Sequence, residues 1–113
     1  MCSNSNLGGN FIYETIKTNY NGTPTTSGYP ASYVEKTGLK QKPKMIIVSS
    51  GKNSLYHTFW AENMDYIQWV GGYSREYHDL SNSTFYYINN TGFRIPFGGS
   101  GENGINVMVM YVY

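Results

Sequence analysis

Apolar and polar residues alternate in short stretches along this chain, and no segment repeats apolar residues every three or four positions. A period of two predicts strands, because successive side chains leave a strand on opposite faces. On that basis strands are predicted at about residues 11–18, 33–36, 45–50, 54–61, 66–70, 84–89, 93–97 and 105–113. Two stretches depart from alternation. Met45 to Val48 is an unbroken apolar run, which predicts an interior strand buried on both faces. Residues 105–113 (INVMVMYVY) carry Ile105, Val107, Val109, Tyr111 and Tyr113 at odd positions and Met108, Met110 and Val112 at even ones. Both faces of that strand need cover. One can come from the domain's own second sheet and the other from a neighbouring subunit, since an open uncharged strand invites aggregation.

The segments between the predicted strands are rich in Gly, Asn, Pro and Ser, the residues of turns. Residues 19–31 (NYNGTPTTSGYPA) and 71–83 are read as long polar loops, 98–104 as a flexible hairpin loop, and 1–9 as a flexible linker. The expected fold is therefore all-β, an antiparallel β-sandwich of about seven to eight short strands occupying residues 10–113. A chain of 113 residues fits one such domain and no second core.

Composition sharpens this picture. Twelve Tyr, five Phe and two Trp make the chain 17% aromatic, while 13% is charged, against about 25% in ordinary domains. Eight Lys/Arg against seven Asp/Glu leave a net charge of +1 with no basic stripe, which argues against nucleic-acid binding. No apolar run reaches the ~18 residues of a membrane helix, so no membrane insertion is expected. With Cys2 as its single cysteine the chain has no internal disulfide.

Catalytic patterns are thin. His57 and His78 lack metal-ligand spacing, and Cys2 lies in a polar tail without an organised base. Glu62, Asp65, Glu76 and Asp79 read as solvated loop charges rather than a glycosidase pair. Gly98-Gly99-Ser100-Gly101 has no Lys-Ser/Thr behind it and is no phosphate loop. No enzymatic activity, metal or cofactor is expected. The binding signal is stronger: Trp60, Trp69, Tyr73, Arg75, Tyr77 and His78 fall within one stretch. Aromatic faces suit the C–H face of a sugar, and Arg and His can bond its hydroxyls. The core competes for Trp60 and Trp69, which lie in predicted strands, whereas Tyr73, Arg75, Tyr77 and His78 lie in the polar loop.

Gly38-Leu39, then Pro43-Lys44 leading into the apolar Met45 to Val48, together with Thr91-Gly92-Phe93 and the tyrosine-bearing last strand, resembles the C-terminal receptor-binding domains of phage and prophage tail fibres. The order of elements over about residues 33–113 is also similar to the H-type lectin-like sandwich. The chain departs from the Gly-Phe-x-Pro-Lys turn of those domains by Leu39 in place of the aromatic and by two extra residues. The resemblance implies a homotrimer at a fibre tip, made in the bacterial cytoplasm and carried on the virion, contacting a host cell-surface glycan or protein. Two other roles use the same sandwich: a bacterial surface or secreted lectin-like module, and a purely structural trimerisation domain.

Overall fold

A computed structural model describes residues 11–20, 32–50, 56–71, 74–79, 85–97 and 104–113, with side chains placed for all but Tyr56, 69–71 and 74–79. The described residues form ten strands and no helix: β1 (Phe11–Lys17), β2 (Asn19–Tyr20), β3 (Ser32–Thr37), β4 (Met45–Ser49), β5 (Tyr56–Ala61), β6 (Tyr66–Gly71), β7 (Ser74–Asp79), β8 (Tyr87–Asn89), β9 (Gly92–Pro96) and β10 (Asn106–Val112). They build two sheets, one of six strands in the order β1-β10-β4-β5-β6-β7 and one of four in the order β2-β3-β9-β8. Every described pair is antiparallel. The all-β sandwich expected from alternation is the fold.

Two strands arise where loops were expected. β7 (SREYHD) lies in the stretch read as a polar loop. It is an edge strand, paired with β6 alone among the described strands. An edge position needs little apolar surface and often carries charge, so its sequence lacks the apolar signal of an interior strand. β2 opens the stretch read as a loop at 19–31, whose residues 21–31 lie outside the described residues, as do 1–9 and 98–103.

β2 exists because the chain changes sheets at Thr18. That residue is buried. Its amide donates to the Ile105 carbonyl at 2.9 Å, and its carbonyl accepts from the Gly104 amide at 2.8 Å. Its Oγ1 accepts from the Ile105 amide at 3.0 Å. Three hydrogen bonds thus satisfy the backbone at the corner, where neither ladder reaches. At the opposite turn, Gly38 has a φ of 81°, which a side chain rarely permits. Its successor Leu39 donates its amide to the Thr91 carbonyl.

The core lies between the sheets. The six-stranded sheet contributes Ile46, Val48, Trp60, Ile67, Val107, Val109 and Tyr111; the second sheet and its exit contribute Val34, Phe93, Ile95 and Phe97. Burial of each such side chain stabilises by roughly 1.5–3 kcal/mol. Phe93 meets Tyr111 edge-to-face across the gap at 5.5 Å. Both apolar runs are interior strands, as read from the sequence for Met45 to Val48. The expectation that Met45 to Val48 is buried on both faces needs correction: Ile46 and Val48 are buried, whereas Met45 and Ile47 are half-buried on the outer side. β10 repeats the pattern, with Val107, Val109 and Tyr111 buried and Met108, Met110 and Val112 half-buried.

Candidate functional site

Register determines what the outer face of the six-stranded sheet carries, because directly paired residues point the same way. One row runs Tyr13, Met110, Ile47, Phe59, Gln68 from β1 to β6. The row on one side is Phe11, Val112, Met45, Ala61, and on the other Thr15, Met108, Ser49, His57. None of these thirteen positions holds Lys, Arg, Asp or Glu, but the next outward pair is Lys17 with Asn106, and the rows continue from His57 through Val70 to Arg75 and from Gln68 to Tyr77 on β7. Tyr13, Ile47, Ser49, Met108, Val109 and Met110 line a groove of about 310 Å³ on this face. Tyr13 is 57% exposed, more than any other large apolar side chain among the described residues. Its hydroxyl donates to Met108 Sδ at 3.6 Å. Methionine side chains adapt their shape readily, so this groove can mould to an occupant.

The outer face of the four-stranded sheet is different. Glu35, Arg94 and Tyr87 pair in a row across β3, β9 and β8. Arg94 Nη2 donates to Glu35 Oε2 at 2.8 Å, and Nη1 to the Phe85 carbonyl at 3.4 Å. The guanidinium carbon stands 4.5 Å from the Phe85 ring centre, 5.4 Å from Tyr87 and 5.7 Å from Tyr33. The Tyr87 hydroxyl donates to the same Glu35 oxygen at 3.3 Å. Burial, then the Glu35 carboxylate, raises the Tyr87 pKa above its ordinary value, with Arg94 opposing. Arg94 Nε is enclosed without a hydrogen-bond partner among the described residues. Apart from that nitrogen, the polar groups named here bond within the cluster, which ties β3, β9 and β8 together on their outer side.

A second ion pair closes the gap between the sheets. Lys36 Nζ lies 3.3 Å from Glu14 Oε2, which also accepts from the Tyr111 hydroxyl at 2.6 Å. Burial first, then this bond to Glu14 and its charge, pushes the Tyr111 hydroxyl well above the ordinary tyrosine range.

The residues singled out by sequence do not form one loop-borne site. Trp60 is 2% exposed and belongs to the core, which removes it from the surface candidates. Its ring lies 5.7 Å from Lys42 Nζ, and its Nε1 has no hydrogen-bond partner among the described residues. Trp69, Arg75, Tyr77 and His78 share the β6–β7 hairpin: Trp69 pairs with Glu76, Arg75 with Val70, Tyr77 with Gln68 and His78 with Ile67. Arg75 and Tyr77 hold one set of alternating strand positions and His78 the other. Tyr73 lies outside the described residues. Sequence reasoning missed Tyr13 and Met110 as groove residues, because their adjacency depends on the pairing of β1 with β10. It also missed Arg94, whose signal was a lone charge between Phe93 and Ile95.

Among the described residues no group of three or more His, Cys, Asp or Glu comes together as a metal site, and no helix is long and apolar enough to cross a membrane. No family model matches the chain, and neither a curated protein nor a solved structure matches it.

Proposed function

We propose that this chain is an attachment and assembly domain: the tip of a phage tail fibre, working as a homotrimer that contacts a host cell-surface glycan or protein. The observation that carries the reading is the apolar centre of the outer face of the six-stranded sheet, around β10, with Lys17 at its β1 edge. Contiguous apolar surface of this kind marks an interaction site, because leaving it in water is unfavourable. Clustering of three copies raises weak single-site affinity through avidity, which suits attachment to a cell surface. The receptor contact is assigned to the β6–β7 hairpin, where Arg75 and Tyr77 lie two residues apart on an edge strand.

Sedimentation of the purified chain, followed by host-cell and glycan-array binding, tests this. The expected result is a mass of three chains, with binding lost in Arg75→Ala and Tyr77→Ala at unchanged mass. A monomer that binds neither cells nor glycans overturns the reading. A trimer that binds neither reduces it to a trimerisation domain.

A further inference from the structure

We infer that the receptor contact on the β6–β7 hairpin is a saccharide site that extends onto β5, and that its ligand is an acidic sugar. The inference rests on the proposed attachment role and names the chemistry of the ligand.

Register supplies the site. Phe59, Gln68 and Tyr77 hold one outward row across β5, β6 and β7, and His57, Val70 and Arg75 hold the row beside it. Strands about 4.8 Å apart and rows about 7 Å apart make a patch on the order of 10 by 7 Å, the scale of a short oligosaccharide. His57, Phe59 and Gln68 are half-buried, so the sheet is partly open here. The first row runs aromatic, amide, aromatic. Flat rings suit the C–H face of a pyranose, and an amide both donates and accepts, as sugar hydroxyls require.

Charge selects the class of sugar. From β1 to β7 neither row holds Asp or Glu. Arg75 is thus a cationic position with no acidic residue on its own row or on the Tyr77 row, and His57 adds a ring N–H two strands away. Asp79, the acidic position of β7 on this face, pairs with Tyr66 and lies about 14 Å from Arg75 along the strand. Glu76 adjoins Arg75 in sequence but holds the opposite set of strand positions, paired with Trp69. On the other sheet the arrangement differs, for Arg94 has Glu35 beside it. A guanidinium placed apart from acidic residues complements an anion, and its planar fork matches a carboxylate.

A glycan array carrying acidic saccharides and their carboxyl-reduced forms tests this with the full chain. Reduction keeps the rings and removes the charge. The expected hits carry a carboxylate and bind about tenfold more weakly once reduced. Arg75→Gln is expected to abolish that preference, so that the two forms bind alike. Phe59→Leu removes the ring but keeps an apolar side chain, and is expected to weaken both forms about fivefold with the preference intact. Sedimented mass and thermal midpoint check that each variant is folded. If Phe59→Leu unfolds, Gln68→Ala and the Arg75→Gln ratio still decide. Hits confined to neutral glycans and lost in Tyr77→Ala overturn the acidic assignment and leave attachment at the hairpin standing. Acidic hits untouched by Arg75→Gln and Phe59→Leu overturn the site. Equal binding of polyglutamate overturns the saccharide assignment. Host-cell binding without an array hit overturns the inference in favour of a protein receptor, with attachment still standing. A chain that binds neither cells nor glycans removes both readings.

Discussion

The Thr58 hydroxyl donates to the Pro96 carbonyl at 2.6 Å, a buried hydrogen bond that joins β5 of one sheet to β9 of the other. The backbone ladders hold each sheet together but not the two sheets to one another, so this bond, with the Lys36–Glu14 ion pair, adds direction to a contact made largely by packing. Thr58→Val keeps the shape and removes the donor. The Pro96 carbonyl then has a buried bond missing, at about 1–3 kcal/mol. Thr58→Ser retains the hydroxyl and is expected to recover much of the loss. Urea denaturation of the two variants checks this; equal midpoints for Val and Ser would refute the role of the bond.

Gly92 opens β9 directly against β3. A Cβ there would run into the Lys36 carbonyl oxygen and crowd the Thr37 Cα. The obstacle is backbone, so no side chain can swing aside. Gly92→Ala is expected to destabilise by about 1–3 kcal/mol or more. Gly104→Ala meets no neighbour but must adopt a φ of 72°, and is expected to cost about 1 kcal/mol. Thermal unfolding ranks the pair, and a Gly92→Ala protein as stable as the parent would contradict the crowding.

Arg94 links Glu35 to three aromatic rings on the outer side of the four-stranded sheet. Arg94→Lys keeps the charge but loses the planar fork and its stacking on Phe85. It is expected to destabilise by about 1–2 kcal/mol, close to the effect of Arg94→Met. Full rescue by Lys would mean that charge alone matters there.

Alkaline pH weakens the fold through Tyr87 and Tyr111. Both hydroxyls are raised from an ordinary value of 10.0, chiefly by burial and then by Glu35 and Glu14 respectively. Above pH 10 the unfolded chain gives up these protons while the folded chain keeps them. The unfolded state then binds fewer protons, and stability falls as pH rises. Their contribution is intact below pH 10 and is lost progressively above it. Tyr111→Phe is expected to flatten that decline and to lower stability at neutral pH by about 1–2 kcal/mol, through the lost bond to Glu14. Denaturation midpoints followed from neutral to alkaline pH measure both effects.

How far the fold was legible depended on which residues face the core. Alternation located β1, β3, β5, β6, β8 and β9, and the apolar runs located β4 and β10, whose buried residues Ile46 and Val48, and Val107, Val109 and Tyr111, recur at a period of two. β7 escaped because an edge strand needs no apolar face. β2 escaped because its two residues are held by the Thr18 corner, whose partner Ile105 is distant in sequence. Trp60 stood between core and surface for a related reason: strand composition alone does not distinguish an inward from an outward tryptophan, and the structure buries it. The two-sided apolar character of β10 was readable, but the groove was not, since Tyr13 meets Met110 only through long-range pairing.

The place of β10 also sets an order of events during synthesis. β1 and β4 are never neighbours; β10 lies between them, pairing Phe11 to Lys17 on one side and Met45 to Ser49 on the other. Residues 106–112 must therefore be made before β1 can join its ladder, since β10 is its ladder partner among the described strands. Until then β1 waits with an apolar side and an open ladder, exposed to proteases and to other nascent chains. Folding is dominated by distant pairings, which places its rate in the slow range of milliseconds to seconds, on the order of other all-β domains.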